Sequence, residues 1–150
     1  MAGIGSSNAG EVRTATGTGV LYVLDTCILV DHLRGYPEAR EWLGNAIRQS
    51  QALDLACSVI TLAELISGLP RTSCQSQEAV ENLLSLMKVV PVGEDIAHRA
   101  GAYVREWGAS HGVGIADALV AATARHLGVP LVTIDKRHFP MDDLEVVVPY

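Results

Sequence analysis

Val20-Leu21-Tyr22-Val23-Leu24-Asp25-Thr26 decides how this chain is read. Five consecutive apolar residues, β-branched and aromatic among them, have the length and composition of a strand covered on both faces. The run stops at a carboxylate. In an open parallel α/β sheet, ligands and chemistry collect beyond the carboxyl ends of the strands. Asp25 is therefore either the cap of the next helix or part of a site, and the rest of the chain has to decide which.

At 150 residues the chain is the size of one domain, and 49% apolar residues with a mean hydropathy of +0.25 suit a well-filled core. No apolar run approaches the ~20 residues of a membrane span. Residues 1–19 are dominated by Gly, Ala, Ser and Thr, with no basic stretch leading into an apolar one. That pattern predicts a disordered extension rather than a secretory signal, and places the folded domain at 20–150. Cys27, Cys57 and Cys74 form no CxxC pair, as expected of reduced thiols in a cytoplasmic protein. A net charge of −6 argues against a generally basic nucleic-acid coat. It leaves room for a metal-dependent nuclease, which needs an acidic pocket with Lys and Arg only at the rim.

Apolar residues recurring at three and four predict helices over 26–34, 37–47, 77–87, 94–109 and 115–127, with a further helix starting at Ser58 or Thr61 and ending at Gly68. Short apolar runs predict strands at 53–57, 89–92, 131–134 and 145–148, the second interrupted by Pro91 and so placed near a sheet edge. Strands alternating with helices indicate an α/β sandwich on a mainly parallel sheet.

Four acids then stand out. Asp25 ends the first strand, and Asp135 follows the strand Leu131-Val132-Thr133-Ile134, where a turn or cap acid is the plain alternative. Thr61-x-x-Glu64 matches a capping box, but if Ser58 caps the helix, Glu64 falls in the second turn among Leu62, Ala63, Leu65 and Ile66. Asp117 lies two residues into a helix of small apolar residues, favoured there by the helix dipole yet in a costly place for a charge. Two acids at strand ends and two near helix N-termini face one edge of the sheet. Two carboxylates 4 Å apart repel by roughly 4 kcal/mol at an effective dielectric near 20, which a divalent cation removes. Oxygen donors without a Cys/His pattern point to Mg²⁺ or Mn²⁺ rather than zinc, and such ions suit phosphodiester hydrolysis.

Four segments carry a resemblance. Leu24-Asp25-Thr26-Cys27-Ile28-Leu29-Val30-Asp31 resembles the opening strand and helix of PIN-domain proteins. Ser58-Val59-Ile60-Thr61-Leu62-Ala63-Glu64-Leu65 with Gly68, Ile115 to Ala124 around Asp117, and Pro130 to Phe139 around Asp135 are similar to their later motifs. In order, spacing and length the chain resembles the VapC-type toxins of toxin–antitoxin pairs over about residues 20–148. The resemblance implies a three-layer α/β/α sandwich with a mainly parallel five-stranded sheet. It implies that Asp25, Glu64, Asp117 and Asp135 bind Mg²⁺, with Mn²⁺ as substitute. It further implies endoribonuclease cleavage of tRNA, rRNA or mRNA by a metal-bound water, a homodimer, and inhibition by a cognate VapB-type antitoxin. Thr26 and Thr133, beside the acids, are expected to orient them or a water. One departure concerns the last motif: many relatives carry Asn at the Asp135 position and an acid near that of His138.

Lys136 and Arg137 are candidate phosphate contacts, with a solvated turn as the alternative, and Arg34 and Arg71 are weaker versions of the same idea. Asp31, six residues past Asp25, is expected on a solvated rim. His138 is a possible general base that metal-water chemistry does not require, whereas His32, His98, His111 and His126 read as ordinary helix or loop histidines. Trp42, Tyr103 and Trp107 fall on core stripes. Two other functions compete: an aspartyl-nucleophile phosphohydrolase, for which Asp25-Thr26-Cys27 lacks the second acid, and a non-catalytic acidic groove for a basic partner.

Overall fold

The apolar run ending at Asp25 forms the central strand β1 (Tyr22–Leu24) of a five-stranded parallel sheet in a computed structural model that describes residues 19–50, 54–71 and 74–150. From β1 the chain passes through helices α1 (Thr26–Arg34) and α2 (Pro37–Gln49) to β2 (Leu55–Ser58), then through α3 (Val59–Ser67) and α4 (Cys74–Leu84) to the edge strand β3 (Lys88–Val90). It returns across the sheet through α5 (Glu94–His111) and α6 (Ile115–Leu127) to β4 (Leu131–Val132) on the other side of β1. A single 3₁₀ turn (Lys136–His138) precedes the opposite edge strand, β5 (Val146–Val147). The strand order is β3-β2-β1-β4-β5, every pair parallel, with Val23 in register with Ala56 on one side and Leu131 on the other.

Strand alternation divides the core. Val23, Ala56 and Leu131 face α5 and α6, where Ala100, Tyr103, Ala118, Ala121 and Phe139 pack against them. Leu24, Leu55, Cys57 and Val132 face α1 to α4, meeting Ile28, Leu29, Leu43, Leu65 and Leu83. Right-handed crossovers require this arrangement: connections moving one way along the sheet lie on one face, and those moving back lie on the other. The three-layer sandwich is thus the expected one.

Several boundaries differ from the periodicity. The helix expected at 77–87 runs Cys74–Leu84, and Met87 enters the core from the turn before β3, where its N–H donates to the Leu84 carbonyl. The strand expected at 131–134 stops at Val132: Thr133 turns its hydroxyl to Asp25, and Ile134 is exposed. The strand expected at 53–57 runs Leu55–Ser58, its first expected residue lying outside the described residues, as do residues 1–18 of the expected extension. Pro91 falls just beyond the last residue of edge strand β3, where it deprives no neighbour of a ladder donor. Among the described residues, no helix is long and apolar enough to cross a membrane.

Candidate active site

The strand order reverses between β1 and β4, and the crevice outside the carboxyl ends of such a strand pair is where an α/β sheet presents a ligand site. The Asp25 N–H donates to the Val132 carbonyl at 2.9 Å, so the ends of β1 and β4 are locked side by side at that crevice. Asp25 is also the N-cap of α1, its Oδ1 accepting the Thr26 N–H at 2.8 Å. Cap and crevice are one position. The cap stays on Asp25, which leaves the Thr26 hydroxyl free for other work.

That hydroxyl donates to Glu64 Oε1 at 2.7 Å, with Thr61 Oγ1 3.0 Å away. Ser58, not Thr61, caps α3, its Oγ accepting the Ile60 N–H at 3.1 Å. The capping-box alternative is therefore excluded, and Glu64 sits in the second turn. It is an exposed side chain rather than one enclosed by its apolar sequence neighbours: Ala63 and Ile66 are exposed with it, and Leu65 turns into the core.

The second oxygen of Asp25 points across the crevice. Thr133 Oγ1 donates to Oδ2 at 2.8 Å and also accepts the Asp135 N–H at 3.0 Å, so one buried hydroxyl sets two acids. Cys27 Sγ lies 3.3 Å from the same Oδ2 and 3.4 Å from Thr133 Oγ1. Asp117, at the first turn of α6, completes the pocket and is 36% exposed at its side chain. His138 Nδ1 stands 2.7 Å from Asp135 Oδ2 and 3.8 Å from Asp117 Oδ2. A carboxylate can only accept, so Nδ1 carries the proton toward Asp135. Arg137 Nε lies 3.6 Å from Asp135 Oδ1 on a side chain 90% exposed, and Lys136 is exposed beside it.

Electrostatics record the crowding. Burial raises the Asp25 carboxyl above its usual range against the pull of Thr133, Cys27 and Thr26, with the Glu64 charge adding to the rise. Burial also raises Asp117, and the charges of Asp25, Glu64 and Asp135 push the same way while His138 opposes them. Asp117 thus feels the three other acids at once. The Cys27 thiol is pushed up to about 11 by burial and by Asp25, so it stays protonated and acts as a weak donor.

Asp31 is a correction. It is buried, 7% exposed, and accepts a hydrogen bond from the Tyr150 hydroxyl at 3.0 Å, because the chain after β5 folds over the face of α1 that was expected to meet solvent. Cys27, expected only as a reduced thiol, and Thr61, a candidate cap, both join the pocket, and His138, a candidate general base, pairs with Asp135. The available signals were local: Cys27 stands two residues after a capping acid, Thr61 one turn before Glu64, and His138 one 3₁₀ turn after Asp135.

The donor set fits a hard divalent cation, since it is built of carboxylate oxygens and Asp117, raised first by burial, also feels the charges of Asp25, Glu64 and Asp135. Among the described residues no three His, Cys, Asp or Glu side chains already converge tightly enough to hold an ion together. Mg²⁺ does not require that, because it is usually held by one or two carboxylates with water and substrate phosphate completing its shell.

Fold and pocket define a parallel α/β protein with carboxylates from four separate segments at its topological switch point. The chain belongs to the PIN-domain family, whose model matches residues 22–144. It is 40% identical over 122 residues to Ribonuclease VapC10 of Mycobacterium tuberculosis, covering 81% of this chain and 87% of that protein. Ribonuclease VapC19 of the same organism is 37% identical over 120 residues, covering 79% and 92%. Among solved structures, a DNA-bound VapBC from Salmonella typhimurium superposes with a TM-score of 0.71 at 25% identity, covering 85% of this chain and 97% of that one. PIN-domain nucleases generally use a divalent metal.

Proposed function

We propose that this chain is the toxin of a type II toxin–antitoxin pair, a cytoplasmic Mg²⁺-dependent endoribonuclease restrained by a cognate antitoxin. The observation that carries this reading is the convergence of the acids: Thr133 Oγ1 bonds both Asp25 and the Asp135 N–H, Thr26 ties Glu64 to the cap of α1, and His138 Nδ1 lies 2.7 Å from Asp135 and 3.8 Å from Asp117. The relatives named as ribonucleases and the likeness to a VapBC complex support the enzyme and its partner.

In this reading Asp25, Glu64, Asp117 and Asp135 hold Mg²⁺, or Mn²⁺ in its place. The cation supplies Lewis-acid stabilisation of a phosphoryl oxygen and lowers the pKa of water. Thr133 fixes the rotamer of Asp25 and the backbone of Asp135, and Thr26 draws Glu64 toward the crevice. Lys136 and Arg137, exposed beside Asp135, meet the RNA backbone at the rim. A second copy of the chain completes a homodimer, checked by light scattering.

The test is cleavage of cellular RNA by the purified, antitoxin-free chain with Mg²⁺, followed by mapping of the new ends. Chelation by EDTA abolishes cleavage, and so does Asp25→Asn or Asp117→Asn in a chain whose circular dichroism is unchanged. Cleavage at the wild-type rate by either folded variant overturns the reading.

A further inference from the structure

The face formed by α5 and α6 carries a second polar concavity. A cleft of about 520 Å³ is lined by Asp95, His98 and Arg99 of α5 and by Arg125 and His126 of α6. Arg125 and His126 lie eight and nine residues beyond Asp117 on one helix, about 12–13 Å along its axis at ~1.5 Å per residue. The cleft is thus separate from the acidic pocket, and the metal chemistry makes no use of it.

Its two arginines are held in place from behind. Arg99 Nη1 lies 3.0 Å and Arg125 Nε 3.5 Å from the same oxygen of Asp143, whose other oxygen accepts the Tyr103 hydroxyl at 2.7 Å. Two guanidiniums share Asp143 behind them and face Asp95 on the lining, so what the cleft offers an anion is oriented N–H donors rather than a net charge. Each guanidinium has five N–H donors, and one nitrogen of each is engaged with Asp143. The remaining donors belong to planar forks on side chains that are 42% and 44% exposed. Forks held by a carboxylate lose little freedom on meeting an anion, and they match the oxygens of a phosphate. His98 and His126 add ring nitrogens to the same lining, where Asp95 supplies a carboxylate in addition to Asp143 behind.

We propose that this α5–α6 cleft binds a backbone phosphate of the RNA strand, away from the acids that cut it. The proposal rests on the ribonuclease reading, and it gives that reading a length requirement. A strand engaged at both places extends several nucleotides past the cut, whereas a dinucleotide, with one phosphate, occupies the acidic pocket alone.

The test measures binding of a fluorescein-labelled RNA spanning the mapped cut site to the full chain silenced by Asp25→Asn. Adding Arg99→Gln and Arg125→Gln raises Kd about tenfold and flattens the salt dependence of log K by roughly one unit per lost contact. Because these changes also release Asp143, Ala102→Glu on the cleft wall serves as a second variant that leaves both ion pairs in place and raises Kd in the same direction. In the otherwise wild-type chain, Ala102→Glu raises KM for the long RNA and leaves dinucleotide cleavage unchanged. Unchanged Kd and KM in both variants overturn the proposal, as does inorganic phosphate raising the melting temperature through Arg99 and Arg125 while RNA affinity stays the same, which makes the cleft a site for free phosphate. A change of oligomeric state in Ala102→Glu also overturns it in favour of a contact between copies. If the wild-type chain cleaves no RNA at all, it is the ribonuclease reading that fails.

Discussion

Thr133 shows how much one side chain contributes to the pocket. Its buried hydroxyl donates to Asp25 and accepts from the Asp135 N–H, so Thr133→Val strips a buried carboxylate of a donor and a backbone amide of an acceptor. A loss of about 1–3 kcal/mol in unfolding free energy is expected by urea titration, with cleavage falling roughly 10–100-fold and Thr133→Ser recovering most of both. The acids make a pH prediction. Asp25 and Asp117 are raised from the ordinary 3.8, so within that window the folded chain binds more protons than the unfolded one. Their contribution to stability is whole below the unfolded value and is lost as pH rises through the folded one. Metal-free Asp117→Asn therefore loses less stability than wild type between acid and neutral pH, and equal slopes would contradict an Asp117 carboxyl raised by burial and by its neighbouring acids. Asp25 was legible because a charge ending an apolar run is conspicuous, and Asp117 because a charge inside a helix of small apolar residues is. The partners that set them were not: Thr133 and Asp25 are 108 positions apart, and no local pattern encodes which hydroxyl reaches which acid.

Helix caps and strand ends decide where those residues stand. Ser58→Ala removes the cap of α3 and is expected to cost about 1 kcal/mol in chemical denaturation. Glu64 rides on that helix, so the change should also weaken Mn²⁺ binding measured by calorimetry. Gly35 ends α1 at φ 84°, a left-handed position where a side chain would be strained, and its place after the apolar stripe marked the helix end in the sequence. Helices were the most readable elements because a stripe at 3.6 residues survives small errors of phase. Strands of two to four residues offer no such redundancy, so β4 was read two residues too long. The covering of α1 was invisible for a different reason. Nothing near Asp31 announces that Tyr150 will reach it, and the contact spans 119 positions. Tyr150→Phe leaves the buried Asp31 short of a donor, and a loss of about 1–3 kcal/mol is expected, read as an earlier urea midpoint with unchanged m-value.

At the scale of the molecule, the parallel sheet followed from the alternation of helices and strands, whereas the strand order required the structure. That order puts the acids at one edge, and it ties stability to metal. An ion that binds only the folded chain stabilises it by about 2.7 kcal/mol at a hundred times its Kd, so saturating Mn²⁺ should raise the melting temperature by roughly 5–10 °C. The rise should vanish in Asp25→Asn, and an equal rise in that variant would place the ion elsewhere. The position of β4 has a consequence in time. A chain leaves the ribosome from its N-terminus, and β1, β2 and β3 exist long before Leu131 and Val132 are made. Until then Asp25 has neither Thr133 nor Asp135 beside it, and one side of the crevice is missing. The last crossover closes the sheet and finishes the pocket in the same event. A nascent chain therefore lacks the complete acidic pocket of the proposed nuclease while the RNAs of translation surround it.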